Sequence, residues 1–129
     1  MKSLFFAALT TLLVGVALPA QADEHSLYEL RTYYANEGKM DALHNRFRNH
    51  TMALFEKHGM KNIAYWSPAD QPDTLIYIVA HKSAEAKDAN WQAFVADPDW
   101  VAVYTASIAD GRLVKKIDSV LMTKTDYSP

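Results

Sequence analysis

The eight residues Thr74–His81 read TLIYIVAH and decide the fold class. Their β-branched and aromatic composition predicts a β-strand. Two apolar sets alternate along it: Leu75, Tyr77 and Val79 on one side, and Ile76, Ile78 and Ala80 on the other. A strand of an antiparallel sheet with one face in water would alternate apolar with polar residues instead. The stretch therefore predicts a sheet that is covered on both faces.

The segments on either side supply the remaining elements. Strands are predicted over residues 27–34, 60–67 and 115–125, and a long helix over residues 39–58 that ends at Gly59. A second helical region begins at the N-cap Ser83 and restarts at Asp97-Pro98. The order β-α-β-β-α-β predicts an α+β, ferredoxin-like fold, with a four-stranded antiparallel sheet and helices on one face.

Helices on one face leave the other face of this sheet uncovered. The chain has no cysteine, so disulfides cannot stabilise a domain of this size. Two copies that pack sheet against sheet would bury both apolar sides of the strand at 74–81. We therefore predict a homodimer of the dimeric α+β barrel type. The alternative is a monomer with one unusually hydrophobic strand.

The N-terminus has the pattern of a secretory signal peptide over residues 1–22. Lys2 is followed by an apolar run over residues 4–18 and by Pro-Ala-Gln-Ala, which predicts cleavage after Ala22. The alternative is an apolar helix or membrane anchor, but the run is short for a bilayer. Cleavage leaves residues 23–129 as one periplasmic or secreted domain, with no stable membrane anchoring.

Composition excludes several classes of function. The formal net charge is −2, whereas a nucleic-acid partner requires a basic face. The absence of cysteine excludes thiolate catalysis, iron–sulfur clusters and c-type haem attachment. The chain contains no G-x-S-x-G, no H-E-x-x-H and no glycine-rich phosphate loop. No cofactor is predicted.

Four short sequence motifs on these elements carry a family resemblance. They are YELRTY at 28–33, KHGM at 57–60, YW at 65–66 and DPDW at 97–100. With them the chain resembles the NIPSNAP family, within the dimeric α/β-barrel superfamily, over nearly all of residues 23–129. The resemblance implies that fold and no assigned activity, since most bacterial members have none. Related proteins in the superfamily include cofactor-independent monooxygenases and haem-degrading proteins.

Three polar residues interrupt the apolar stripe of the helix at 39–58. His44, Thr51 and His58 lie near the middle of the apolar arc of an ideal helix. They either line a cavity between helix and sheet and contact a ligand, or bond to strand backbone and neighbouring side chains. His44 and His58 are about 21 Å apart along a helix, so the two cannot share a metal ion.

Arg31 lies in mid-strand with Glu29 and Tyr33 on the same side, which we expect a second copy to enclose. It is either a buried cation for an anionic or enol-type ligand, or the partner of Glu29 or Asp118 in an ion pair. Aromatic residues are dense and predict either a pocket for a flat apolar molecule or ordinary packing. The pocket residues expected from this density are Trp66, Tyr77 and His81.

Cleavage after Ala22 would place Asp23, Glu24 and His25 at a free amino terminus. An amine, two backbone amides and an imidazole at the third position can form a square-planar site for Cu(II) or Ni(II). The alternative is a chance histidine in a disordered terminus.

Three functions remain open from the sequence. The first is a module that binds a small apolar or aromatic ligand in a helix–sheet pocket. The second is a cofactor-independent monooxygenase or haem-handling enzyme acting on an aromatic substrate. The third is a structural or interaction protein without a ligand.

Overall fold

The computed structural model describes residue 3, residues 12–17 and residues 24–129. Most of the predicted signal peptide lies outside these described residues, and so does Asp23. No helix within the described part of the chain is long and apolar enough to cross a membrane.

Four strands form a single antiparallel sheet, and the helices lie in two regions of the chain between them. The strands are β1 Leu27–Ala35, β2 Lys61–Trp66, β3 Thr74–His81 and β4 Val114–Met122. The helices are α1 Met40–Arg46, α2 Met52–Lys57, α3 Ala84–Ala96 and α4 Pro98–Ser107, with a π-helical segment, Phe47–Thr51, between α1 and α2. The spatial order is β2-β3-β1-β4, with antiparallel neighbours throughout. This arrangement confirms the ferredoxin-like α+β prediction.

Local signals set the helix boundaries where the sequence placed them. The Ser83 hydroxyl accepts a hydrogen bond from the Ala86 amide at 3.0 Å, and Asp97 caps α4 in the same way. After α2, Gly59 adopts a φ of +77°. The Gly59 and Met60 amides then donate to the last carbonyls of the helix, which closes a Schellman motif.

The helix predicted over residues 39–58 is not a uniform α-helix. In the π-helical segment the backbone bonds span five residues, and the Thr51 hydroxyl donates to the Arg46 carbonyl at 3.3 Å. A π segment adds a residue to the local turn, so the part after it is rotated relative to the part before it. His44, Thr51 and His58 therefore do not share one stripe, and that part of the prediction is wrong.

The core lies between the sheet and the helices and is rich in aromatic residues. Tyr77 and Phe55 are almost completely buried, and Phe47 packs against both rings. The centroids of Phe47 and Tyr77 are 5.2 Å apart, a distance typical of favourable aromatic pairs. Much of the aromatic density in the sequence therefore serves packing.

No helix of the described residues lies on the opposite side of the sheet, and this side is apolar at its centre. We call it the helix-free face, and its register aligns Leu30 with Ile78 on β3 and with Val120 on β4. At the far strand, Trp66 pairs with Ile76. Val120 is 55% exposed and Trp66 is 48% exposed. The apolar second face expected from residues 74–81 is thus present.

Candidate functional site

A buried carboxylate organises the helix-covered face of the sheet. Glu29 of β1 is 2% exposed and accepts four hydrogen bonds. The donors are Arg31 Nη1 at 2.8 Å, His81 Nε2 at 2.9 Å, Trp91 Nε1 at 2.8 Å and Ser119 Oγ at 2.7 Å. β1 is flanked by β3 and β4, and this position brings together donors from three strands and from α3.

These donors keep the Glu29 carboxylate ionised. Burial by itself raises the pKa of this carboxyl, but the four hydrogen bonds outweigh burial and hold the pKa well below its usual range. Because an ionised carboxylate only accepts, the proton of His81 must lie on Nε2. Its Nδ1 is buried and has no hydrogen-bond partner among the described residues.

Arg31 lies on the helix-covered face, so the expectation that a second copy encloses it is wrong. Its ion-pair partner is Glu29, while Asp118 lies on the helix-free face and accepts from Tyr34. Arg31 Nε also donates to the Tyr77 hydroxyl at 2.9 Å. Burial alone lowers the pKa of Arg31, but the neighbouring tyrosines and Glu29 raise it above its usual value. The group therefore remains cationic.

A cavity of about 420 Å³ opens beside the Arg31 guanidinium, between β1, β4 and the helices α3 and α4. We call it the Arg31 cavity; it is lined by Arg31, Tyr33, Trp91, Phe94, Val95, Trp100, Val101, Tyr104 and Ile117. The Arg31 Cζ atom lies 4.5 Å from the Trp91 ring centroid, within cation–π range. The cavity therefore has aromatic walls and one fixed cation.

A second cavity of about 340 Å³ adjoins it, and the two share Tyr33, Trp100, Tyr104 and Ile117. We call it the Arg46 cavity, after the buried arginine at the end of α1. This residue was not among the sequence predictions.

Two predicted site residues lie elsewhere. His44 and Trp66 line a separate cavity of about 330 Å³. Its other lining residues are Phe47, Arg48, Met52, Tyr65, Ser67 and Leu75. The structure therefore does not bring His44 and Trp66 together with Arg31.

The remaining predicted residues are held by internal hydrogen bonds. Tyr77 is fully buried and donates to the Tyr33 hydroxyl at 3.1 Å, and burial raises the pKa of Tyr77 well above its usual value. His81 is fully buried behind Glu29. Thr51 bonds to the helix backbone, and His58 Nε2 lies 2.7 Å from an Asp97 carboxylate oxygen. Tyr77 and His81 thus contact Arg31 and Glu29, respectively, and hold these two side chains in place beside the Arg31 cavity.

The N-terminal residues are partly described. Glu24 lies 3.5 Å from the Lys82 ammonium, and the His25 ring nitrogen Nε2 is 3.2 Å from the Gly59 carbonyl oxygen. Within the described residues, no group of three or more histidine, aspartate and glutamate side chains could hold a metal ion.

The sequence reasoning did not select several residues that form the site. Trp91, Trp100 and Tyr104 belong to the aromatic density already noted, but no local signal separates cavity walls from core. Arg46 falls 240° from Met40 on an ideal helix, outside the apolar arc. Its burial depends on α4, which only the tertiary structure supplies.

The family can now be assigned. The NIPSNAP family profile matches residues 28–129. The chain belongs to the NIPSNAP family. No curated protein matches it.

Solved structures are similar to this chain over most of its length. A NIPSNAP family protein of unknown function from Agrobacterium tumefaciens is 22% identical, with 84% of this chain and 96% of that chain covered and a TM-score of 0.70. An uncharacterized NIPSNAP-like domain protein from Burkholderia xenovorans is 15% identical, with 83% and 91% covered and a TM-score of 0.70. A candidate antibiotic biosynthesis monooxygenase from Nitrosomonas europaea is 13% identical, with 76% and 97% covered and a TM-score of 0.56. At these identities the likeness supports the fold alone.

Proposed function

We propose that this NIPSNAP-family domain binds a small apolar or aromatic molecule in the Arg31 cavity. The observation that carries the proposal is a cavity of about 420 Å³ with aromatic walls and a single well-held cation. Ligand pockets have volumes of roughly 300–1,000 Å³ and are mostly apolar with a few fixed polar groups. The Arg31 cavity has both properties.

The walls of this cavity are held rigidly. Glu29 fixes the Trp91 indole nitrogen at 2.8 Å and the Arg31 guanidinium at the same distance. Tyr77 holds Arg31 from a second direction. A site whose side chains are already ordered loses little conformational entropy on binding, which favours affinity.

Calorimetric titration with naphthalene-2-carboxamide, a neutral flat probe, tests the proposal. Val101→Phe fills the Arg31 cavity from α4 and is expected to weaken binding at least about 10-fold. The matched control is Ser67→Phe, which fills the separate cavity beside His44 and Trp66 and should leave affinity within about twofold. Loss of binding in Ser67→Phe alone would place the ligand in that other cavity. No binding to the wild-type protein would favour a structural role without a ligand.

A second copy of the chain is the proposed partner on the helix-free face. Leu30, Ile78 and Val120 form an apolar centre there, and no helix within residues 24–129 covers it. Val120→Asp would place a charge at this centre. We expect the wild-type protein to elute as a dimer in light-scattering chromatography and Val120→Asp as a monomer. A monomeric wild-type protein at micromolar concentration would refute the dimer.

We propose that the protein is exported, because residues 1–22 have the pattern of a secretory signal peptide. Intact mass of the protein recovered from the periplasm should correspond to residues 23–129. A product that retains residues 1–22 would contradict cleavage after Ala22.

A second candidate function is cofactor-independent oxidation of an electron-rich aromatic ligand by dioxygen. Arg31 favours it, because a partly buried cation at the cavity wall would stabilise the anion formed when a quinol-type substrate loses a proton. Oxygen uptake with a quinol, lost in Arg31→Met and retained in Arg48→Met, would support this reaction. Binding without oxygen uptake would leave the binding function alone.

A further inference from the structure

Arg46 is a buried cation for which the described residues supply no counter-ion. The residue is 7% exposed, and its Cζ atom lies 5.2 Å from the Trp100 ring centroid and 5.5 Å from that of Tyr104. Nη1 donates to the Ser107 hydroxyl at 3.1 Å. Nε is buried and has no hydrogen-bond partner among residues 24–129, and no carboxylate of those residues forms an ion pair with Arg46.

Such an arrangement is unfavourable in the ligand-free protein. A buried charge is normally paired, because removal of a guanidinium from water is costly and ring faces compensate only part of that cost. Burial lowers the pKa of Arg46, although arginine still keeps its proton at neutral pH. Arg31, by contrast, forms an ion pair with Glu29.

The surroundings of Arg46 are basic although the chain as a whole is acidic. Arg112, Lys115 and Lys116 also line the Arg46 cavity, and no aspartate or glutamate is among its lining residues. Lys116 is paired with Asp118 at 3.5 Å on the helix-free face, so its ammonium points away from the cavity. Among the described residues, Arg46, Arg112 and Lys115 are then the three cations at this cavity, in a chain of net charge −2. A positive potential concentrated in a cleft attracts anions.

We infer that the Arg46 cavity binds the anionic head group of a ligand whose apolar or aromatic body occupies the adjoining Arg31 cavity. The inference rests on the proposed function and adds the chemical class of the ligand, an apolar or aromatic oxyanion. The two cavities share the walls Tyr33, Trp100 and Tyr104 and therefore lie side by side, as a ligand with these two parts requires.

A carboxylate and a phosphate monoester both fit this description. Arginine presents a planar fork of donors that matches either group, so the structure specifies the shared oxyanion chemistry.

The test compares three probes with the same aromatic body: naphthalene-2-carboxylate, 2-naphthyl phosphate and naphthalene-2-carboxamide. Calorimetry on the wild-type protein is expected to show at least one anionic probe binding about 10-fold or more tightly than the amide. Arg46→Met should abolish that preference while the affinity for the amide stays within about threefold. The tighter of the two anions identifies the head group.

Arg48→Met is the matched control. Arg48 lies two residues after Arg46, in the π-helical segment that follows α1. It is exposed and lines the separate cavity beside His44 and Trp66. Its loss should leave the preference for the anion unchanged. If circular dichroism shows that Arg46→Met does not fold, Arg46→Lys replaces it. That variant keeps the positive charge but loses the planar pair of donors. It should weaken binding of the tighter-binding anionic probe at least about threefold and leave the affinity for the amide unchanged.

Each further outcome is decisive. An unchanged preference in Arg46→Met, or an unchanged anion affinity in Arg46→Lys, overturns the inference. Equal binding of all three probes by the wild-type protein overturns it as well, while the proposed function stands. Loss of the preference in Arg48→Met places the anion in the other cavity and also overturns it. If no probe binds, the proposed function fails and the inference fails with it.

Discussion

Replacement of Glu29 by glutamine keeps the shape of the side chain and removes the charge that four donors share. The donors come from β1, β3, β4 and α3, so the change acts where the sheet meets the helices. A glutamine oxygen can accept two of the four bonds at most. The amide nitrogen is itself a donor and would face the remaining donors.

The expected cost follows from these contacts. Each hydrogen bond to a charged acceptor contributes about 1.5–3 kcal/mol, and about two of the four are lost. The substitution also leaves the partly buried Arg31 cation without its partner, a loss that reaches about 3–5 kcal/mol for fully buried pairs. These effects overlap, so we expect Glu29→Gln to lower the free energy of unfolding by about 3–5 kcal/mol. That is a large part of the roughly 5–15 kcal/mol available to a domain of this size.

Urea unfolding followed by circular dichroism and tryptophan fluorescence measures the effect. The control is Asp70→Asn, which changes an exposed carboxylate in the loop between β2 and β3 and should cost less than about 0.5 kcal/mol. A loss below about 1 kcal/mol in Glu29→Gln, at an unchanged m-value, would refute the view that this carboxylate organises the site.

The stabilities of the wild-type protein and Glu29→Gln should also differ in their pH dependence. The folded-state pKa of Glu29 is depressed below its ordinary value near 4.5. Its contribution to stability is therefore present above about pH 4.5 and is lost as the pH falls toward the lower folded-state value. The difference in unfolding free energy between wild type and Glu29→Gln should be constant from pH 7 to pH 5 and shrink steadily below. A difference that grows on acidification would contradict the assignment.

Three further predictions concern stability and are checked by thermal and urea unfolding. Gly59→Ala should cost more than Gly38→Ala: both glycines have positive φ, worth about 1–2 kcal/mol, but only at Gly59 would a Cβ meet a neighbour, the Asn90 side chain at 3.0 Å. Equal losses would show that Asn90 moves away freely. Asp97→Ala should lower the melting temperature more than Asp97→Asn, because asparagine still caps α4 while alanine does not. The reverse order would exclude capping as the main role of Asp97. Arg46→Met should leave the ligand-free protein as stable as the wild type or more so, and a loss above about 2 kcal/mol would show that Arg46 is well compensated.

Much of the fold follows from local features of the sequence. The strand at Thr74–His81 and the caps at Ser83, Asp97 and Gly59 all coincide with observed boundaries. These features are predictable because strand alternation and capping depend on neighbours in the chain. The fourth strand was expected to continue to residue 125 but ends at Met122.

The π-helical segment was not predictable in the same way. An ideal helical wheel assumes a constant 100° per residue, and the insertion at Phe47–Thr51 changes that phase. The Thr51 hydroxyl bonds to a carbonyl five residues back, a partner that exists only once the helix has widened. The stripe of three polar residues was therefore an artefact of the uniform wheel.

Only the part of the site that lies on β1 was predictable from the sequence. Glu29, Arg31 and Tyr33 alternate on one side of β1, and the sequence already grouped them. His81 and Trp91 join them through strand register and helix docking, which depend on contacts 52 and 62 residues apart. No local pattern assigns Arg31 to Glu29 rather than to Asp118, because the choice depends on which side of the sheet the helices cover.

Arg31, which is partly buried, and Arg46, which is buried, show why charge compensation indicates function more directly than residue type. Arg31 has Glu29 as a permanent partner, so its position is fixed whether or not a ligand is present. Arg46 has no such partner among the described residues, and its cavity offers further cations and apolar or aromatic walls. An anion that binds there would supply the missing charge and stabilise the folded protein in proportion to the logarithm of its concentration. The melting temperature of the wild-type protein should therefore rise more with an anionic aromatic probe than with the neutral amide, and in Arg46→Met the two rises should become equal although the variant itself is no less stable. A larger rise with the anion that persists in Arg46→Met would mean that the anion is held elsewhere.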